Sequence, residues 1–499
     1  MITEKEFKEL ALAYSVVPLV ETMLADLHTP VSIYLTLCSN SSHSFLLESV
    51  EPDERIGRFS FVGRDPFLII KATGDVVEIE SGGKKEQRNE KILDVLDKFS
   101  RHYRSPAAHD QQGFTGGFLG YFGYDRVQEI ENIPLHPRAV NDVPDAMFGL
   151  FQSVVKFDHL HQLMTVTHNI LVEKNQTLED QYNNGVKILT AILTQLCKPP
   201  VVENNFQCNL SSLQHGADHD AFCSSVKRAK EYIHEGDIFQ VVLSRRVQVS
   251  FSGNPFPIYR ALRIINPSPY LFYINYDSVK LIGSSPEVLV RVQDRTVGVM
   301  PIAGTRRRGK NEQEDKRLEE ELLHDEKEVA EHVMLVDLGR NDVGRVSEYG
   351  TVHVPVFKHL KRFSHVMHLV SEVQGKLKAN ANSVDALRAC FPAGTVSGAP
   401  KVRAMEIINE LEPVRRGIYA GAVGYLGFDG ALDTCIAIRT IVATNGTLTI
   451  QAGAGIVADS VPELEYKETV NKAQALLEAL TIASNGLMKI RGGSGFNGG

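Results

Sequence analysis

The chain has 499 residues, 43% of them hydrophobic and 23% charged, with a formal net charge of −8. That is globular composition, with room for one very large domain or about two to three ordinary ones. No sustained basic stripe offers itself to nucleic acid, and no apolar run reaches the roughly 18–20 residues of a membrane span, so neither partner is expected.

The start, MITEKEFKEL, is polar and shows no basic stretch followed by an apolar one, so no secretory signal is expected. Cys38, Cys197, Cys208, Cys223, Cys390 and Cys435 are scattered without CxxC spacing. They read as free, mostly buried thiols in a reducing cytoplasm. In chain order, alternation of apolar and polar residues predicts strands over 31–37 (VSIYLTL), 44–50 (SFLLESV) and within 154–173 (VVKFDHLHQLMTVTHNILVE). Residues 198–218, rich in Pro, Asn, Ser and His and without helical period, read as a linker between a part spanning 1–197 and another spanning 219–485.

A helix is expected from Asp220 to Glu235. Strands follow in DIFQVVLSRRVQVSF (237–251), PYLFYINY (269–276), VKLIGSSPEVLVRV (279–292) and RTVGVMPIAGT (295–305), and the run Arg306–Arg308 marks a loop. HDEKEVAEHVMLVDLGRND (324–342) is a long acidic helix. Helices are then expected in VDALRACF (384–391) and PKVRAMEIINEL (400–411), and strands in YAGAVGYLGF (419–428), LDTCIAIRTIVATN (432–445) and TLTIQAGAGIV (447–457). A final helix covers about 463–483, and the glycine-rich end, 486–499, reads as a disordered tail. Strand and helix mix without a strict βαβ rhythm, which predicts an α+β fold with large antiparallel sheets.

Two acidic pairs stand out. At about 100° per residue, Glu331 falls among Met334, Leu335 and Leu338 on the helical wheel, with Glu328 beside Leu335. In the last helix, Glu465 and Glu468 repeat the spacing on a face shared with Lys472, Ala475, Leu476 and Ala479. Carboxylates three apart repel on a helix, and burial multiplies the cost. A hard divalent cation with oxygen ligands relieves both, and Mg²⁺ leaves positions open for an anionic substrate. QAGAGIV (451–457) places small residues at a strand end, where backbone N–H groups can approach an anion. PAGTVSGAPKVRAM (392–405) runs a small-residue loop into a helix N-terminus with Pro400 near its first turn. Arg439, midway along an apolar strand, must face something polar. From these residues the chain reads as a Mg²⁺-dependent enzyme acting on an acidic small molecule.

The segments GDIFQVVLSRR, PSPYLFYI, GSSPEVLVRV, PIAGTRRRG, EKEVAEHVMLVDLGRND, HVMHLVSEVQG, FPAGTVSGAPKVRAM, YAGAVGY, DTCIAIRT and QAGAGIVADSVPELEYKETVNKA occur in that order. Over residues 10–485 they resemble the chorismate-utilising enzymes, and most closely the anthranilate-forming large subunits among them. The resemblance implies large antiparallel sheets packed as a sandwich and flanked by helices. It implies Mg²⁺ held by Glu331 and Glu468 with Glu328 and Glu465 beside them, and the ring carboxylate of chorismate on the metal near the backbone of Gly453, Ala454 and Gly455. Arg439 and Tyr419 would take the enolpyruvyl carboxylate, with Gly304, Thr305 and Thr395 as further substrate contacts. Lys472 would contact a substrate carboxylate or pair with the glutamates. Glu287 matches the acid that protonates the departing 4-hydroxyl, and His368 a histidine associated with pyruvate elimination.

Gln240 stands where water-adding members carry a lysine base, and Ala303 where 4-amination members carry a nucleophilic lysine, so amination at C2 by ammonia is implied. LLES (46–49) and NPSPYLF (266–272) match a tryptophan feedback pocket, with Glu48 and Ser49 at the amino-acid head group and Pro269, Tyr270 and Leu271 flanking it. With no Gly-x-Cys-x-Gly glutaminase segment in the chain, ammonia would come from a separate glutamine amidotransferase subunit in a hetero-oligomer. Two alternatives stay open: a 2-amino-2-deoxyisochorismate synthase, and a non-catalytic tryptophan sensor.

Overall fold

Runs of Val, Ile, Leu, Phe and Tyr, alternating or continuous, pair antiparallel into two sheets of 12 strands each. A computed structural model describes residues 1–50, 57–106, 113–134, 136, 143–216, 218–362 and 366–487. In the first sheet the strands run in the spatial order Val16–Leu24, Leu163–Leu171, Ser153–Asp158, Phe59–Arg64, His43–Glu48, Tyr270–Tyr276, Val279–Ser285, Thr440–Thr444, Thr447–Ile456, Gln240–Ser252 and Gln207–His215. In the second the order is Ile302–Arg307, Val366–Lys376, Thr296–Val299, Val288–Gln293, Leu432–Ile436, Ala422–Gly427, Gly117–Phe122, Ala146–Phe151, Leu68–Thr73, Val76–Ser81 and Lys84–Arg88.

The sheets stack through an aromatic-rich cluster drawn from both, including Phe45, Phe272 and Tyr276 from the first and Tyr121, Phe151 and Val423 from the second. Helices close the outer faces, so the expected α+β sandwich is the fold observed. No helix among the described residues is long and apolar enough to cross a membrane.

Both sheets are assembled from both ends of the chain. His43–Glu48 pairs with Tyr270–Tyr276, and Gly117–Phe122 with Ala422–Gly427, so residues 1–197 and 219–485 share two cores instead of forming separate units. The expected linker is also partly structured: Gln207–His215 forms an edge strand on Gln240–Ser252, with a bulge between Asn209 and Gln214 that erases its alternation.

Another expectation reverses. VSIYLTL lies in a helix, Pro30–Cys38, because Thr29 and Ser32 close a capping box at its start and Pro30 sets the first turn. Ile33, Tyr34, Leu37 and Cys38 then bury one helical face, and tertiary packing overrides β-branched propensity. Arg306 and Arg307 end a strand instead of marking a loop. The tail beyond residue 487 lies outside the described residues.

Two strand pairs cross from one sheet to the other. Val279–Ser285 belongs to the first sheet and Val288–Gln293 to the second, while Leu432–Ile436 and Thr440–Thr444 make the return. The crossovers run side by side: Ile436 N–H donates to the Glu287 carbonyl at 3.0 Å, Ser284 N–H to the Arg439 carbonyl at 3.1 Å, and the Ser285 hydroxyl to the Ile436 carbonyl at 2.7 Å. Leaving a sheet frees a side chain from the two-fold alternation, and Glu287 and Arg439 occupy these corners. Arg439 therefore does not lie midway along a strand; it sits in the break, with φ 48°.

Candidate active site

The acidic helix, Glu326–Val346, buries His332, Leu335, Val336, Gly339, Asp342, Val343 and Val346. Glu328 and Glu331 continue that face beyond its last buried turn and are half-buried. Glu331 Oε1 accepts from Gln240 Nε2 at 3.2 Å. Burial raises the Glu331 pKa, and the charges of Glu328 and of Glu468 on the second acidic helix push the same way, against Lys327. The second helix, Pro462–Ser484, brings Glu465, itself raised by burial and by Glu468. Lys327 of the first helix stands 3.8 Å from Asp459, just ahead of the second.

The four carboxylates do not close on one point. Arg306 Nη1 holds Glu328 Oε1 at 3.2 Å, and Lys472 Nζ holds Glu468 Oε1 at 2.6 Å. Lys472 also donates to the Gly453 carbonyl at 3.0 Å. Glu331 is left with a neutral amide donor and like charges around it. An oxygen-rich, underneutralised set of this kind fits a hard cation.

Strand Thr447–Ile456 supplies the glycines, and a side chain on either would crowd a neighbouring side chain. A Cβ on Gly453 would stand 2.6 Å from Tyr419 Oη, and one on Gly455 2.8 Å from Gln240 Nε2. Gln240, Tyr419, Gly453, Ala454 and Gly455 thus form one wall. Behind Tyr419, on the side away from this wall, is a cavity of about 70 Å³ lined by Asp125, Arg246, Arg416 and Gln451 among others; Tyr419 is the one sequence-predicted site residue it touches.

Glu287 faces Thr395, Lys472 and Arg439. Desolvation lifts its pKa to about 7, partly offset by the Thr395 hydroxyl and the two cations. The buried Thr395 hydroxyl faces Glu287, in a geometry looser than an ordinary hydrogen bond. Arg439 donates to Asn266 Oδ1 at 3.3 Å, and burial lowers its pKa. His368 lies across from Arg439. Its Nδ1 is 3.1 Å from the Gly304 carbonyl and 3.0 Å from the Thr305 hydroxyl. A carbonyl only accepts, so Nδ1 carries the proton and Nε2 is the basic nitrogen. Burial lowers the His368 pKa, keeping the ring neutral near neutral pH. Gly304 turns at φ 69°, and a Cβ there would come 3.4 Å from Glu328 Oε2. Glu287, Arg439, His368, Gly304 and Glu328 are therefore neighbours at the sheet seam.

Glu48, Ser49, Pro269, Tyr270 and Leu271 lie together elsewhere, where the strands His43–Glu48 and Tyr270–Tyr276 pair. Leu271 lies opposite Glu48 in the register, and Val50 N–H donates to the Ser268 carbonyl at 3.1 Å. Glu48 Oε1 accepts from Tyr259 at 2.6 Å and meets Arg263 at 2.9 Å. Glu48 Oε2 and the Ser49 hydroxyl are buried without a partner. Tyr270 turns away to Asp433 at 2.7 Å, so its ring, not its hydroxyl, borders the segment beside Pro269.

One organising residue was not anticipated. Arg416, fully enclosed, donates to the carbonyls of Val396 at 2.7 Å and Val242 at 2.6 Å, and is neutralised by Glu412 at 2.7 Å. Its guanidinium also stacks near the Tyr419 ring, 5.5 Å from the centroid. It thereby ties together the segment of Thr395, the strand of Gln240 and Tyr419. A lone arginine pair ahead of a glycine, RRG, is too common in sequences to mark such a role.

Comparison with known proteins accords with this arrangement. Residues 43–478 match the family described as chorismate binding enzyme. The chain is 45% identical over 489 residues to anthranilate synthase component 1 of Acetivibrio thermocellus, covering 96% of this chain and 98% of that one. The crystal structure of anthranilate synthase component I from Streptococcus pneumoniae superposes with a TM-score of 0.76 at 37% identity, covering 91% of this chain and 99% of the other. The menaquinone-specific isochorismate synthase from Escherichia coli shares the fold, with a TM-score of 0.70 at 21% identity over 96% of this chain and 98% of its own.

Proposed function

The chain belongs to the chorismate-binding enzymes, and from that membership we propose that it is the large subunit of an anthranilate synthase, aminating chorismate at C2 with ammonia and eliminating pyruvate. The observation that carries this reading is the proximity of Glu287 to Thr395, Arg439 and Lys472, of His368 to Arg439, and of Lys472 to Glu468.

The chemistry follows from the side chains. Loss of the 4-hydroxyl needs a proton donor, and Glu287, titrating at about 7, holds one near neutral pH. Gln240 is neutral and cannot deprotonate water, so the incoming nucleophile must already carry a lone pair, as ammonia does. Aromatisation then requires a proton to leave C2, and neutral His368, with Nδ1–H fixed on Gly304, offers Nε2 as the base. Arg439, Lys472 and the Thr395 hydroxyl match the two substrate carboxylates and their neighbours. Glu331 and Glu468 would hold Mg²⁺, with Glu328 and Glu465 in support; when bound, the ion supplies a Lewis-acidic anchor for a substrate carboxylate. Glu48 and Ser49, each with an unpartnered buried oxygen, would receive the head group of inhibitory tryptophan between Pro269, Tyr270 and Leu271. A glutamine amidotransferase subunit would supply ammonia in the cytoplasm.

The test incubates the purified chain with chorismate, Mg²⁺ and ammonium at alkaline pH and follows anthranilate fluorescence and pyruvate together. Equal formation of both is expected. An aminated product without pyruvate would establish the 2-amino-2-deoxyisochorismate alternative, and no turnover would overturn the enzymatic reading.

A further inference from the structure

Outside the pocket, a second group of ligating side chains straddles the start of the helix that bears Glu465 and Glu468. His219 and Cys223 stand one turn apart on helix His219–His234 and face Glu463 on helix Pro462–Ser484. One ligand atom from each lies within 4.8 Å of the other two, and Cys223 Sγ is 3.7 Å from His219 Nε2. Asp220 Oδ1 sits 2.9 Å from His219 Nδ1. An acceptor there places the proton on Nδ1 and turns the Nε2 lone pair toward the thiol, the arrangement in which an outer carboxylate orients a metal-bound imidazole. The ring is further fixed by an edge contact with Tyr466, 4.8 Å between centroids. Cys223 is 5% exposed, whereas His219 and Glu463 are exposed, so the group lies at the surface with its sulfur innermost.

We propose that His219, Cys223 and Glu463 form a second cation site, selective for a soft or borderline divalent ion of the zinc class and distinct from the glutamate set. Thiolate and imidazole donors discriminate against Mg²⁺, which demands oxygen ligands. One nitrogen, one sulfur and one carboxylate oxygen leave a fourth tetrahedral position for water. Binding displaces the Cys223 thiol proton to solvent. The ion would staple the first turn of the glutamate-bearing helix to helix His219–His234.

The test uses the full chain, freed of metals by chelation, reduced, and titrated with Co²⁺ in excess Mg²⁺. Expected is a stoichiometric near-ultraviolet thiolate-to-cobalt band with tetrahedral visible absorption, displaced by Zn²⁺ and indifferent to Mg²⁺. Cys223→Ser should abolish the thiolate band. Asp220→Asn, which removes only the orienting carboxylate, should weaken Co²⁺ binding by about 10–100-fold. His219→Ala, at a surface position that cannot endanger the core, should weaken it further. Absence of a thiolate band in the wild type, its persistence in Cys223→Ser, or unchanged affinity in His219→Ala would each overturn the site.

Discussion

Replacing Glu287 with glutamine separates the chemical task of this residue from its structural cost. The buried carboxyl titrates at about 7 where an ordinary glutamate has 4.5, so holding it charged costs roughly 3 kcal/mol at about 1.4 kcal/mol per pH unit. The residue as a whole is partly exposed although its carboxyl is shielded, and screening reduces that to about 1–3 kcal/mol. The sign follows from the raised value: below 4.5 the group is protonated folded or unfolded and nothing is lost. As pH rises toward 7 the unfolded chain ionises first and stability drains away, and above 7 the loss is complete. Glutamine keeps the shape without the charge. Glu287→Gln should therefore match the wild type in thermal stability near pH 4.5 and exceed it by about 1–3 kcal/mol at pH 8, with the gain developing between. The same variant should form no anthranilate, because no proton remains for the 4-hydroxyl. The assay is a thermal-shift series across pH in chelator without chorismate, paired with anthranilate fluorescence. A stability difference independent of pH, or near-normal turnover, would refute the assignment.

Glu331→Gln or Glu468→Gln should lower chorismate turnover by more than the roughly 10–100-fold that loss of an outer-shell metal partner costs, with a raised Mg²⁺ requirement; near-normal activity would remove the metal role. Gly455→Ala builds a methyl 2.8 Å from Gln240 Nε2, swinging that amide off Glu331; kcat/KM should fall by about tenfold to a hundredfold with the thermal midpoint nearly unchanged, since only a flexible side-chain end has to move. Arg416→Ala leaves Glu412 charged and buried and frees two carbonyls, so urea unfolding should show about 3–5 kcal/mol lost; a loss under about 1 kcal/mol would show that the network is dispensable. Ser49→Ala should raise the tryptophan concentration for half-inhibition about tenfold or more while sparing turnover, and an unchanged inhibition curve would exclude Ser49 from the pocket.

The chemistry of this pocket was far more legible in the sequence than its layout. Carboxylates three apart on two apolar faces announced an expense that needed a reason, and Glu331 beside Gln240 supplies the place where it is met. The helix at Pro30–Cys38 was misread because alternation and β-branching were weighed before the Thr29–Ser32 capping box, a two-residue signal with more directional content than seven residues of propensity. The strand at Gln207–His215 hid behind its bulge. Arg416 was invisible for another reason: its three attachments are to backbone carbonyls and to Glu412 one turn earlier, none of which leaves a spacing that periodicity can detect.

The sheet seam also links the segment after Ser49 to Arg439 through a short run of hydrogen bonds. Ser268, whose carbonyl anchors the segment after Ser49, donates its hydroxyl to the Ser284 carbonyl at 3.2 Å. Ser284 in turn bonds the Asn266 carbonyl at 2.5 Å, and its own N–H holds the Arg439 carbonyl at 3.1 Å, while Arg439 returns to the Asn266 side chain at 3.3 Å. A ligand drawing Ser49 and Glu48 inward acts on the strand Tyr270–Tyr276 that begins at these contacts, and Arg439 has only the break between two strands to absorb the shift. Coupling between two binding sites is reciprocal, so on the proposed reading a carboxylate bound at Arg439 would shift tryptophan affinity at Glu48 and Ser49 by the factor with which tryptophan shifts substrate affinity. The seam that frees Glu287 and Arg439 from strand alternation thus also ties Arg439, through Ser284 and Asn266, to the segment after Ser49.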